Sequence, residues 1–117
     1  MITLHIDTST LGETIVSLDH NGQTWEKRLT EKRAHNVLPI IEELLADHNL
    51  STKDLTNIDL ATGPGSYTGL RVGATIAGTL SLLMNIPING NPPGKIPELQ
   101  YGEDKYGLFP LQKKDNS

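Results

Sequence analysis

The apolar period of this 117-residue chain changes once, and the change restricts the folds open to it. Ile2, Leu4 and Ile6 alternate with polar neighbours, the pattern of a strand with one buried face, and the run stops at Asp7-Thr8-Ser9-Thr10. A second strand is predicted over Glu13–Leu18 and a third over Thr24–Leu29, carrying Trp25. Between them stands Asn21-Gly22, the pair that accepts the positive φ angles of a tight hairpin. From Asn36 to His48 the period becomes helical. Val37, Leu38, Ile40, Ile41, Leu44 and Leu45 share one side, and Glu42, Glu43 and Asp47 take the other. Pro39 is tolerated because the first N–H groups of a helix have no internal acceptor.

Ser51–Asn57 then reads as a connection and Ile58–Thr62 as a short fourth strand. Gly63-Pro64-Gly65-Ser66-Tyr67-Thr68-Gly69 turns the chain, with Ser66 or Thr68 placed to cap a helix running to about Met84. Pro87–Asn89 reads as a brief fifth strand. Three antiparallel strands followed by helix, strand, helix, strand define an α/β lobe. Its mixed five-stranded sheet, with helices against it, is the order of ribonuclease H-like and actin-like (ASKHA) domains.

Composition removes several function classes. There is no cysteine, so thiolate metal sites, thiol catalysis and disulfides are out, and a reducing cytoplasm suits the chain. Ten basic against fourteen acidic residues leave a formal charge of -4, too little positive charge to hold nucleic acid alone. The first residues form no secretory leader, and the most apolar window, Val72–Met84, is too short to span a bilayer. A soluble, cytoplasmic lobe over residues 1–90 is the expectation. Residues 91–117 differ in kind, with Pro92, Pro93, Pro97 and Pro110 against regular structure. Yet that tail holds Tyr101, Tyr106 and Phe109, three of the five aromatic residues. It reads either as a docking tail, lying on this domain or on a partner, or as plain disorder.

Several residues could carry chemistry. The Gly63–Gly69 loop joins a strand to a helix, where amides can hold an anion, so Asp7, Gly63, Gly65, Ser66 and Thr68 form a candidate nucleotide or anion site. It lacks the Gly-Lys-Ser/Thr ending of a Walker loop, and tight turning alone also explains its glycines. Asp7 could accompany a metal at a strand end, with Glu42 and Glu43 as candidate further acids, but the fourth strand ends in Ala61-Thr62-Gly63 without a carboxylate, and a local hydrogen-bonding role is favoured. A triad of Ser66, His35 and Asp7 lacks a nucleophile elbow. On the second helix Gly69, Gly73, Ala77 and Ser81 recur every four residues, a small-residue stripe that another helix could approach closely. Val72, Ile76, Leu80 and Leu83 offer a bulkier side for the sheet, although the stripe itself could pack there instead. Arg71, the only basic residue between Asp54 and Lys95, stands beside the stripe, ready for a partner acid or an anion.

Three segments carry a family resemblance: Leu4–Thr10, then Arg33-Ala34-His35-Asn36-Val37-Leu38-Pro39-Ile40-Ile41, then Gly63–Gly73. In this order and spacing they resemble the TsaB (YeaZ) family, over roughly residues 2–90. Its members help make N6-threonylcarbamoyladenosine in tRNA. The resemblance implies an actin-like lobe acting as a non-catalytic partner of TsaD, the paralogue that carries the metal and transfers the threonylcarbamoyl group to adenosine 37. The paralogue's His-x-x-x-His pair would fall near Gly90-Asn91-Pro92-Pro93-Gly94, which holds no histidine. Family members pair through two helices of this lobe. That makes His35, Leu38, Gly69, Arg71, Val72, Gly73, Ala77 and Ser81 the expected interface. A TsaE-type ATPase joins the pair, ATP or ADP can bind near the junction, and tRNA is reached only through the complex. Family members usually carry a second lobe. The rival expectations are an actin-like phosphotransferase, a glycoprotease-like enzyme, and a self-sufficient homodimeric binding module.

Overall fold

The computed structural model describes residues 1–30 and 37–102. Strands β1 (Ile2–Asp7), β2 (Glu13–His20) and β3 (Gln23–Thr30) form an antiparallel meander, and β4 (Asn57–Leu60) joins parallel to β1, giving the order β3-β2-β1-β4. The hairpin turn is the one read from sequence: Asn21 and Gly22 both have positive φ, 51° and 81°. Helices α1 (Val37–Ala46) and α2 (Tyr67–Met84) lie on one face of the sheet. Leu4, Ile6, Val16, Leu18, Ile58 and Leu60 face them, and the alternate residues of each strand face away.

Pro39 falls in the first turn of α1, where its missing N–H costs nothing. Ser66 caps α2 by accepting the Gly69 N–H at 3.1 Å. At the other end Asn85 takes the left-handed conformation, with φ 56°, that terminates many helices.

The sheet has four strands, not five. Pro87–Asn89 contributes a single parallel bridge, Ile58 to Ile88, because Pro87 has no N–H and Asn89 turns out of the extended region at φ 50°. The side chain of Asn89 completes the edge instead. Its Oδ1 accepts from the Leu60 N–H at 2.7 Å and its Nδ2 donates to the Leu60 carbonyl at 2.9 Å, so the last β4 residue is paired without a neighbouring strand.

Residues 91–102 run back along α2. Ile96 lies over Gly78, Leu99 packs on the core, and Gln100 donates its N–H to the Thr62 carbonyl at 2.7 Å. Gly65 then donates to Gln100 and accepts from Gly102, and the rings of Tyr67 and Tyr101 sit 4.7 Å apart.

Candidate functional site

The small-residue stripe of α2 turns inward. Gly73, Ala77 and Ser81 are buried, and a Cβ at Gly69 or Gly73 would overlap the Thr8 carbonyl or the Thr8 hydroxyl. Thr8 donates that hydroxyl to the Gly69 carbonyl. The Ser81 hydroxyl donates to the Ile86 carbonyl and accepts from the Gly94 N–H at 2.9 Å. The expectation that Gly69, Gly73, Ala77 and Ser81 remain available to another helix therefore fails. They let α2 sit tightly against the end of β1, and the bulkier residues cannot follow them there. Leu80 alone of the bulkier set is buried; Val72 and Ile76 are half-buried, and Leu83 is 68% exposed.

What faces solvent on α2 is a mixed side, with Thr68, Arg71, Thr75, Thr79 and Leu83 exposed and with Val72 and Ile76 half-buried and packed partly on the chain's own core. Thr68, Arg71, Val72, Thr75, Ile76, Thr79 and Leu83 recur at helical spacing along it. Near its start Tyr67, Thr68, Arg71, Val72, Thr75 and Ile76 line an open groove of about 380 Å³. The Arg71 guanidinium stands over the Tyr67 ring, 5.3 Å from its centre, which aims a positive charge along the rim. Leu38, at the start of α1, is 37% exposed. Of the expected interface residues, Leu38, Arg71 and Val72 are thus at the surface, whereas His35 lies outside the described residues.

The Gly63–Gly69 loop is occupied by the chain itself. The Gly65 N–H goes to Gln100, the Ser66 N–H to the Ser9 carbonyl at 2.7 Å, and the Gly69 N–H to the Ser66 hydroxyl. A Cβ at Gly63 or Gly65 would overlap the Gln100 or Ser9 carbonyl, so close backbone crossing accounts for these glycines. As a ready anion cradle the loop is short of the donors it was expected to offer. Asp7 accepts from the N–H and hydroxyl of Ser9, at 2.9 and 2.6 Å, which is the local turn role favoured above. Thr68 is exposed on the first turn of α2.

A constellation missed in the sequence lies on the open face of the sheet. His5 on β1 points one ring nitrogen at Asp19 of β2, 2.7 Å away, and the other at Asp59 of β4, 3.4 Å away. Only a doubly protonated imidazole could donate to both. Thr24 and His5, in that order, hold the Asp19 carboxyl below its ordinary range by hydrogen bonding to its ionised form. Only Asn21-Gly22 hinted at any register, and the parallel pairing of His5 with Asp59 left no local trace. Among the described residues no group of three His, Cys, Asp or Glu is placed to hold a metal ion. No described helix is long and apolar enough to cross a membrane.

A four-stranded mixed sheet with both helices on one face and α2 capped at a glycine-rich turn is the lobe of the actin-like, ribonuclease H-like class. Comparison with known proteins narrows this. The family model described as TsaD, tRNA N6-adenosine threonylcarbamoyltransferase, matches residues 28–90, more than half of the chain, and the chain belongs to that family. Within it the resemblance is to the members called TsaB or YeaZ. The tRNA threonylcarbamoyladenosine biosynthesis protein TsaB of Bacillus subtilis is 38% identical over 76% of this chain and 40% of its own length. The TsaB of Haemophilus influenzae is 34% identical over 73% of this chain and 36% of its own. The solved structure of YeaZ from Pseudomonas aeruginosa superposes with a TM-score of 0.69 at 26% identity, covering 74% of this chain and 41% of that one. The chain thus spans about two fifths of the length of these relatives. A tRNA N6-adenosine threonylcarbamoyltransferase of Christiangramia forsetii is also similar, at 41% identity over 48% of this chain and 17% of its own.

Proposed function

We propose that this chain is a non-catalytic partner subunit. It docks on a TsaD-like paralogue and supports that enzyme in forming N6-threonylcarbamoyladenosine at adenosine 37 of tRNA. The observation that carries the reading is the outer side of α2, which its own chain covers only in part. Val72 and Ile76 pack partly on the core, and beside them Tyr67, Thr75 and Leu83 are exposed, leaving a strip that a partner helix can cover. The contact residues are then Leu38, Tyr67, Arg71, Val72, Thr75 and Ile76, with Gly69, Gly73, Ala77 and Ser81 holding α2 in place behind them. Residues 1–90 act as the lobe and 91–117 as its tail. The complex works in the cytoplasm, takes in a TsaE-type ATPase with ATP or ADP at the junction, and reaches tRNA only as a whole.

The test is reconstitution of a TsaD-like protein with tRNA, with and without this chain, reading modified adenosine by mass spectrometry. Modification should depend on this chain and should be lost with Thr75→Arg, at an exposed position of the groove. Modification that proceeds equally well without it would overturn the reading. A pair of identical chains in place of a mixed one, seen by light scattering, would favour the homodimeric module.

A further inference from the structure

The sheet is closed at one edge and open at the other. At β4 the side chain of Asn89 and the bridge of Ile58 to Ile88 take up the outer backbone groups. β3 forms the opposite edge, and among the described residues nothing pairs with its outer side. Which groups it offers follows from the hairpin. His20 and Gln23 flank the two-residue turn Asn21-Gly22 and bond to each other, and along an antiparallel pair such bonded residues alternate with unbonded ones. Gln23, Trp25, Lys27 and Leu29 therefore bond to β2, whereas Thr24, Glu26, Arg28 and Thr30 turn their N–H and carbonyl groups outward. These four outward residues are exposed, and such a row is a template for one more strand.

The strand that fits is β3 of a second copy, running antiparallel about a two-fold axis normal to the sheet. Registers that set Glu26 opposite Glu26, or Arg28 opposite Arg28, bring like charges together and leave an outward residue of each strand unpaired. Setting Glu26 opposite Arg28 uses every outward group. Thr24 then meets Thr30 as well, each pair occurs twice, and two bonds per pair give about eight hydrogen bonds. Opposite charges directly across two strands stabilise them. On the helix side the same register sets Trp25 opposite Leu29, both half-buried and apolar, and Lys27 opposite Lys27 on the axis. A lysine on an edge strand ordinarily guards against pairing. Here its ammonium is held by Glu43 and Asp47 of its own α1, at 3.1 and 2.9 Å, so the two Lys27 charges are already neutralised where they meet. In this one register β3 is complementary to itself in hydrogen bonds, charge and apolar contact.

We propose that two copies of this chain join through β3 into one continuous sheet, with Glu26 of each opposite Arg28 of the other. The outer side of α2 stays open in such a pair, so each copy can still carry its own partner, and the pairing of α2 plays no part in the argument. Sedimentation of the wild-type chain at up to about 0.5 mM should show a dimer that dissociates on dilution. In an equal mixture of unlabelled and 13C-labelled chains, isotope-filtered NMR should join the Lys27 Hα to that of Lys27 in the other copy, and the Trp25 Hα to that of Leu29. Opposed residues of an unbonded pair bring their Cα atoms to ~4.5 Å, which makes these contacts specific to the register. Glu26→Arg sets two arginines opposite each other and should raise the dissociation constant about tenfold. Adding Arg28→Glu to it restores opposite charges and should bring the constant back to within about threefold of wild type. A chain that stays monomeric throughout would overturn the proposal, as would a double variant that pairs no better than Glu26→Arg. A dimer whose cross-chain contacts lie on Tyr67, Val72 and Ile76 would overturn it too, and would favour the homodimeric module. The wild-type contacts decide the matter without any variant having to fold.

Discussion

The two sides of α2 differ more than their similar apolar content suggests. The inner side is made of Gly69, Gly73, Ala77 and Ser81; near its start it meets the Thr8 carbonyl and hydroxyl just past β1, and at its end Ser81 binds the Ile86 carbonyl and the Gly94 N–H. The outer side is made of Val72, Thr75, Ile76 and Leu83, and nothing in the described chain covers it fully. Small residues bring the helix close where the sheet ends, and large ones are left for another protein. Spacing alone marks both stripes; only contact tells which is which. The inner side should therefore govern folding and the outer side association.

The inner side predicts the largest effect. Gly73→Leu should destabilise the chain by about 3 kcal/mol or more, because the new side chain meets the Thr8 hydroxyl and Leu60 with no room to relax. Urea unfolding checks it. A Gly73→Leu protein as stable as the wild type would place the stripe on the wrong side of the helix.

The support for that side extends into residues 91–102, which gives the next prediction. A chain ending at Gly90 loses Leu99 from the core and the backbone hydrogen bonds of Gln100 and Gly102 around Gly65. Each such bond is worth about 1 kcal/mol, so with the packing the loss should be about 2–3 kcal/mol. A chain ending at Gly102 keeps all of these contacts. Equal thermal midpoints for the two truncated chains would show that the segment adds nothing to the lobe.

How much of this could be read in the sequence depended on whether the signal was local. The meander was legible because Ile2, Leu4 and Ile6 alternate and Asn21-Gly22 closes a hairpin by its own φ angles. The cap at Ser66 and the harmless position of Pro39 were legible for the same reason. The fifth strand failed because Asn89 leaves the extended region and gives its side chain, not its backbone, to Leu60. The stripe was seen but turned outward, since helical period sets which residues share a side and not which side the sheet meets. The contact of His5 with Asp59 needs a parallel register between strands some fifty residues apart, and nothing local encodes it.

On the outer side the effect on folding should be small and the effect on pairing large. Thr75→Arg, at an exposed position of the groove, should change stability by no more than about 0.5 kcal/mol, as for most surface substitutions. It should weaken association with a TsaD-like partner at least about tenfold, or 1.4 kcal/mol. Calorimetric titration and urea unfolding of the same protein measure the two quantities. A variant that loses stability but keeps its affinity would exchange the roles given to the two sides.

The smallest effect belongs to the open face of the sheet, where charge replaces packing. The Thr24 hydroxyl donates to Asp19 at 2.7 Å and, ahead of His5, holds that carboxyl below its ordinary value of 3.8. A carboxyl whose value is lower folded than unfolded adds stability that is fully present above the unfolded value and is lost as pH falls through the folded one. Thr24→Val removes the hydroxyl and keeps the branched shape that suits a strand. The stability difference between wild type and Thr24→Val should therefore be constant from pH 5 to 7 and should shift as the pH is taken below 3.8, by the share that depends on ionised Asp19. Asp19 and its partner His5 are both partly exposed to water, which screens the contact, so the shift should stay well below the losses at Gly73 or beyond Gly90. A difference that does not change with pH would mean that the Thr24 hydroxyl acts on the turn of the hairpin and not on the charge of Asp19.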